Sequence, residues 1–513
     1  MSTRFLHHFF EPRSAAVFGA SEKPESLGGL VLGNLQEGGF RGKLWAVNLR
    51  GYETVFGVDC VRTVDELPEV PDLAVVCSPI EGVPKLIKKL GKFGVKAALV
   101  LSGGAYLDRD EDNKGSIRQR MLQAARESGI RVLGPECMGL IVPGKKLNAS
   151  YASQPVKAGR VAYLGQSGML ANAMIDWAAG RDVGFSHLIT VGDSVDVLLP
   201  DLIDYVNQFS PAQAILLHLE RVTDAQHFMT SVRDASRNRL VVAIKSGRTP
   251  QSDISSMPPT PGIANRDVVF DAAFARAGVV RVNDSDEMLD ALETLSRMKP
   301  LHGDRLAIVS NGLGPAMLAI DKLISAGGKL AEFSPDTQAA LHKSQVDMSK
   351  PGENPVDLGG NATPERFVEA LQIVTADPNV DAVLVVHAPT RLAPSQVTAQ
   401  AQTEQWDGQG LVHLARLLAP TNNVAGDVHG EGERGDSQTK AEVGSVSQAK
   451  ILCPEQARHR QVHVRDYLSS GVEFESAQVE SCIQLTAARK GARRMDDPLL
   501  GCGHHHFEAA AEL

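Results

Sequence analysis

Short apolar runs alternate with amphipathic stretches along most of this chain. Five runs open it: SAAVFG (14–19), KLWAVN (43–48), LAVVCS (73–78), AALVLS (97–102) and RVLGP (131–135). Each is aliphatic or β-branched and stops at Gly, Ser, Pro or Asn. Runs this continuous suit parallel strands covered on both faces. Stretches such as VPKLIKKLGKFG and IRQRMLQAARESG lie between them and carry helical spacing. The β-α alternation predicts an open, doubly wound parallel sheet.

A second alternation starts near Val161. It predicts helices over 169–181, 198–208 and 225–237, between strands in VAYLG, HLIT, AILLHLE and VVAIK. A third starts near Leu306, with LAIVSNGLGP, a helix over 317–326, KLAEFS and DAVLVVHAPT. Three α/β units in series are therefore expected, with seams at 143–160 and 298–304. Beyond about residue 400 the period is lost. GDVHGEGERGDSQTKAEVGSVSQ is polar throughout, and no further strand ladder is expected in 401–513. That tail is read as divergent or translated in a shifted frame, and poorly ordered.

Composition removes several classes. With 52 Lys+Arg against 61 Asp+Glu the net charge is −9, and no long basic run marks a nucleic-acid or anionic-membrane surface. Aromatics at 5% offer few base-stacking platforms. No apolar stretch of about 20 residues exists to span a membrane. Six Cys without a CxxC pair fit a reducing cytoplasm, with no zinc site expected.

The chemistry is expected outside the carboxyl ends of the strands, where open α/β sheets bind ligands. Those ends read Gly19-Ala20-Ser21, Val47-Asn48, Cys77-Ser78-Pro79, Ser102-Gly103-Gly104 and Gly134-Pro135-Glu136. Small and polar residues at five successive ends describe a nucleotide-shaped crevice, with Lys23 placed to neutralise a phosphate or simply solvated. Neither GxGxxG nor a Walker loop is present. Gln166-Ser167-Gly168 and Asn311-Gly312-Leu313-Gly314 each join a strand to a helix N-terminus, a device that holds phosphate. Ser167 fits an N-cap equally well. Cys77 and Cys137 read as small buried residues, and no spaced His/Asp/Glu set suggests a metal.

These motifs occur in order: FEPRSAAVFGAS, NLQEGGFRGKLWAVN, PDLAVVCSP, GPECMGL, GQSGML, VGDSVDV, LLHLE, IKSGR, DAAFARAGVVRV, GDRLAIVSNGLGP and NPVDL. Together they resemble the NDP-forming acyl-CoA synthetase family, related to succinyl-CoA synthetase, over roughly residues 5–396. The resemblance implies a Rossmann-like CoA-binding domain (1–142) and two flavodoxin-like ligase domains (143–300 and 301–400, the last incomplete). It implies CoA or acetyl-CoA as cofactor, bound by Gly19, Ala20, Ser21, Lys23, Asn48, Ser78, Pro79, Ser102, Gly103, Gly134 and Pro135. It implies phosphate sites at Gln166, Ser167, Gly168, Asn311, Gly312 and Gly314.

Active members carry a phosphorylated histidine in a loop resembling SHTGALAG. Counting back from Asp267, that position falls on Pro259, within MPPTPGIA (257–264). Proline has no nucleophilic side-chain atom, and no His lies between His227 and His302. Glu220 matches the glutamate that supports the phosphohistidine, or is a plain strand-end carboxylate. GPECMG also departs from the family's more usual GPNCxG, placing the Glu136 carboxylate beside the expected pyrophosphate. The missing histidine makes the chain resemble the ligase-like region of Pat-type protein lysine acetyltransferases. The expectation is then a truncated CoA-thioester-binding module with no catalytic residue of its own. ATP or ADP would act only through an absent ATP-grasp domain. The implied partners are a CoA thioester and a separate ATP-grasp or acetyltransferase chain, or a second copy. The alternative is an active alpha-type subunit of an ADP-forming acetyl-CoA synthetase.

Overall fold

A computed structural model of the chain describes residues 3–104, 115–181, 183–249, 267–297, 303–344, 353–394, 397–398, 401, 411–415 and 448–452. The first sheet holds β1 (Ser14–Phe18), β2 (Lys43–Val47), β3 (Thr54–Val55), β4 (Val58–Val61), β5 (Leu73–Val76), β6 (Ala97–Val100) and β7 (Arg131–Leu133). Their order is β3-β4-β2-β1-β5-β6-β7. All five expected runs form parallel strands. Alternate residues serve two faces: Ala15 and Val17 join one core, Ala16 and Phe18 another. That is why the run has no polar position. The small β3–β4 hairpin was not expected; strands of two and four residues are too short to show a period.

The second sheet holds β8 (Gly139–Val142), β9 (Leu147–Ser150), β10 (Ala158–Gly165), β11 (Phe185–Thr190), β12 (Ala214–Leu219), β13 (Leu240–Lys245) and β14 (Val280–Val282). Their order is β14-β13-β12-β10-β11-β8-β9. The central strands are parallel, and the β8–β9 hairpin adds antiparallel to β11. The expected helices appear at Gly168–Ala179, Leu199–Phe209 and Ala225–Asn238.

The third sheet holds β15 (Arg305–Ser310), β16 (Lys329–Leu330), β17 (Val356–Asp357), β18 (Ala382–His387), β19 (Leu411–Ala415) and β20 (Gln448–Leu452). β18 pairs parallel with β15 and antiparallel with β20, which pairs with β19. This corrects the expectation of no strand in 401–513. Five-residue strands give too short a pattern to recognise. The helix expected over 317–326 starts earlier, at Leu313, and runs to Ser325.

The first two sheets share one core. It joins Leu32 and Leu35, on the helix Leu27–Glu37, to Leu140 and Ala149 of the β8–β9 hairpin and on to Leu164 and Ile215. Asn34 Nδ2 donates to Ser150 O at 2.9 Å and Ala152 O at 3.1 Å across the same join. Among the described residues no helix is long and apolar enough to cross a membrane.

Two buried imidazoles of the second sheet couple this fold to pH. Burial pushes His187 and His218 from 6.5 down to about 4. Between those values the unfolded chain binds more protons than the folded one, so stability rises with pH there. Stability is expected to be full above about pH 6.5 and to fall towards pH 4, by roughly 1–3 kcal/mol per histidine. Urea unfolding at pH 7, 6 and 5 measures the slope; His218→Gln is expected to flatten it, and an unchanged slope would sink this account.

Candidate functional site

The first site grows from the reversal of strand order at β1, which has β2 on one side and β5 on the other. At its carboxyl end Gly19 takes φ +87°. A side chain there would press on Cys77 C and Ser78 N at 3.0 Å. Gly28, in the first turn of the next helix, sits so close that a Cβ would meet Gly19 O at 2.1 Å. The helix start is thus laid directly on the strand end, which aims its free N–H groups into the crevice. Ser26 caps that helix by accepting from Gly29 N–H at 3.1 Å. Ser21 is buried and accepts from Lys23 N–H at 3.2 Å. The Lys23 side chain is exposed beside it.

The other expected residues line the same end but differ in what they offer. Asn48 donates its amide to Ala20 O and accepts from Arg50 N–H at 2.9 Å, so it shapes the turn from behind. Ser102 is buried and donates to Ser78 O. Pro79 and Gly103 are exposed at the rim. Gly134 takes φ +97° before Pro135, and a Cβ there would strike Val100 O at 2.1 Å, so only glycine fits. Glu136, also at positive φ, accepts from Gly104 N–H at 2.6 Å. The carboxylate is therefore at the rim, held by a backbone donor.

The second sheet reverses its order at β10, between β11 and β12. Gln166 follows β10, and its Oε1 accepts from Glu220 N–H at 2.6 Å and Arg221 N–H at 3.0 Å. It ties the ends of β10 and β12 together. Ser167 caps the helix Gly168–Ala179, accepting from Leu170 N–H at 3.3 Å. Glu220 is exposed. In the third sheet Asn311 is buried and exchanges both of its amide groups with Ala388, at 2.7 and 2.8 Å. It locks the ends of β15 and β18. At the start of the next helix a Cβ on Gly312 or Gly314 would meet little, but Gly312 N–H already donates to Ser310 Oγ at 3.2 Å and Gly312 O accepts from it at 2.9 Å. Pro259 lies outside the described residues.

Sequence reasoning missed the joint between the two crevices. Asp193 follows β11 and accepts from Arg118, in the first turn of the first domain's helix Ile117–Ser128, and from Arg221 at 2.6 Å. Asp193 N–H donates to Pro135 O at 2.9 Å, and Val195 N–H to Gly134 O at 3.1 Å. A Cβ on Gly192 would meet Pro135 O at 2.2 Å. The loop after β7 and the loop after β11 are thus in direct backbone contact. The VGDS stretch after an apolar strand was the only sequence signal for it.

Comparison with known proteins matches this arrangement. Residues 13–143 match a CoA binding domain and residues 158–295 a succinyl-CoA ligase like flavodoxin domain. The alpha subunit of ADP-forming acetate–CoA ligase I from Pyrococcus furiosus is 30% identical over 409 residues, 79% of this chain and 87% of the relative. This chain belongs to that ligase family. The alpha subunit of the second such ligase from Pyrococcus furiosus is 31% identical over 398 residues, covering 77% and 85%. The solved dinucleotide forming acetyl-coenzyme A synthetase 1 of Ca. Korarchaeum cryptofilum, in complex with phosphate and ADP, superposes with a TM-score of 0.72. It is 27% identical over 79% of this chain and 86% of that one. The ligase-family fold is therefore shared over 79% of this chain.

The close approach at Gly28 yields a stability test. Gly28→Ala is expected to push the helix off the strand end and destabilise the first domain by about 2–3 kcal/mol. Urea unfolding followed by Trp45 fluorescence measures it; a change under about 0.5 kcal/mol would show the turn to be slack.

Proposed function

We propose that this chain is the CoA-thioester-binding, alpha-type component of an ADP-forming acyl-CoA ligase, with ATP or ADP handled on a separate ATP-grasp chain. The observation that carries this reading is the Gly19–Gly28 contact. It presents a helix N-terminus at the strand-order reversal with no side chain in the way, and suits a diphosphate. On this reading Gly19, Ala20, Ser21 and Lys23 meet the phosphates of CoA. Ser78, Pro79, Ser102, Gly103, Gly134 and Pro135 border its path towards the second sheet. Ser167 and Gly168 hold a phosphoryl group at the neighbouring helix, and Gly312 and Gly314 a further one. Asn48, Gln166 and Asn311 serve by shaping these turns. The domains divide near residues 142 and 300, and the setting is cytoplasmic.

Pro259 favours a second reading. Without the histidine of the family's loop the covalent phosphoryl carrier is missing, and with it the step that splits the reaction. The chain is then a CoA or acetyl-CoA sensor that biases a partner such as an acetyltransferase, as the Pat-type resemblance implies. Both readings need the same CoA site and differ in phosphoryl transfer.

Calorimetry on the full chain tests the shared part. CoA is expected to bind saturably, and Gly19→Asp to weaken it at least tenfold by adding charge and bulk at the turn. No binding by a folded chain would refute both readings. Removing the rim charge in Glu136→Gln is expected to tighten CoA binding about threefold to tenfold at low salt, less at high salt. Incubation with acetyl phosphate, followed by a test for acid-labile phosphate, separates the two. Labelling of the wild-type chain supports the ligase; labelling only of Pro259→His supports the sensor.

A further inference from the structure

Among the described residues two serine–histidine pairs flank the second sheet, and they differ in what solvent can reach. At the amino edge Ser210 Oγ lies 3.0 Å from His187 Nδ1, but both side chains are buried and the hydroxyl also accepts from Ala212 N–H at 3.1 Å. That pair holds the fold. At the carboxyl edge His218 Nε2 lies 2.6 Å from Ser246 Oγ. His218 is 2% exposed, whereas Ser246, just past the end of β13, is exposed. A buried imidazole thus stands behind an accessible hydroxyl, within the reach that joins a nucleophile to its base.

The hydroxyl is carried on a fixed backbone. Ser246 N–H donates to Leu219 O at 2.8 Å, continuing the ladder between β12 and β13. The buried Lys245 donates its ammonium to Ser246 O and to Gly247 O, the latter at 3.4 Å. Gly247 takes φ +68°, a turn made directly after Ser246 at no steric cost. His218 Nδ1 has no partner among the described residues, so Nε2 and Ser246 set the ring's orientation. Burial and the Lys245 ammonium push the imidazole down to about 4, which leaves it unprotonated and open to a proton at neutral pH. His218 O accepts from Gln166 N–H at 3.3 Å, so the pair stands beside the Gln166 turn.

We propose that Ser246 is an acyl-accepting nucleophile with His218 as its general base, so that the chain forms an acyl-serine from a CoA thioester. Ser246 Oγ attacks the thioester carbonyl carbon while its proton passes to His218 Nε2. The C–S bond then breaks, and the leaving thiolate takes that proton. The products are a serine ester and free CoA thiol, and His218 is neutral again. Neither reading of the proposed function uses Ser246 or a covalent acyl-enzyme. The donor rests on the CoA reading; the pair itself does not. Among the described residues no third group steadies the imidazolium at Nδ1. Acylation is therefore expected to be slow and the ester to accumulate, which makes labelling the readout.

Mass spectrometry of the full chain after incubation with p-nitrophenyl acetate and, separately, with acetyl-CoA tests this. Each is expected to place an acetyl group on Ser246, with a matching burst of p-nitrophenol from the ester. Ser246→Ala is expected to abolish the adduct, and Ser246→Cys, which keeps a nucleophile at that position, to restore it as a thioester. His218→Gln keeps a hydrogen-bonding group but no base, and is expected to slow labelling about a hundredfold. The wild-type rate is expected to be level between about pH 6 and pH 8, because His218 is already unprotonated there; a hydroxyl without a base gains about tenfold per pH unit. Absence of an adduct from the ester overturns the inference, as does labelling that His218→Gln leaves unslowed. A rate that climbs with pH overturns it too, whether or not His218→Gln folds. Labelling by the ester but not by acetyl-CoA, in a chain that binds CoA in calorimetry, overturns the thioester as donor. Failure of CoA to bind overturns the proposed function, and labelling by the ester still decides the role of Ser246 and His218.

Discussion

The arrangement depends on one carboxylate. Asp193 sits between two guanidiniums, one from each of the first two domains. All three side chains are about three-quarters buried or more, so the attraction is far less screened than in an exposed pair. Removing Asp193 would leave two partly buried cations facing each other, the costly case for a buried network. Around it the backbone of one loop bonds to the backbone of the other. Such contacts set position to a fraction of an ångström, because neither partner has a side-chain rotamer to relax.

That joint gives the two strand-order reversals a common purpose. Each sheet alone offers a crevice at its carboxyl edge, as any doubly wound sheet does. Joined through Gly134–Pro135 and Gly192–Asp193, the first crevice leads towards the Gln166 turn of the second. Arg131 reinforces the same side, pairing with Asp196 at 2.9 Å and with Asp201 at 3.4 Å. On the proposed function, a long ligand with a phosphate end and a reactive end would span both. The third sheet repeats the strand-turn-helix device at Asn311–Gly314, with its Asn spent on holding two strand ends together.

Much of the candidate site was legible because it is made of strand ends. Apolar runs that stop at Gly or Ser mark those ends, and their order along the chain places them on one edge of the sheet. What each polar side chain does there was not legible. Asn48, Gln166 and Asn311 are the residue types that bind phosphates, yet each has at least its amide oxygen on nearby backbone. A strand-end amide finds an unpaired peptide group within reach, and composition cannot reveal that it is already satisfied. Asp193 was passed over for the opposite reason. It lies in a short loop whose value comes from what packs against it.

The sequence by itself determined three α/β units, the parallel strands of the first two and the small residues at their ends. Local physics suffices for these, since a strand covered on both faces must be apolar along its length and a close backbone approach excludes a Cβ. It also determined that position 259 carries no phosphoryl-accepting side chain. Only the tertiary structure decided which amides are spent inside the fold, where Glu136 finds its donor, and that two late strands extend the third sheet. It alone brought Arg118 to Asp193 across 75 residues of chain. Contacts of that kind arise when two separately folded surfaces meet, and no period or motif within either segment records the meeting.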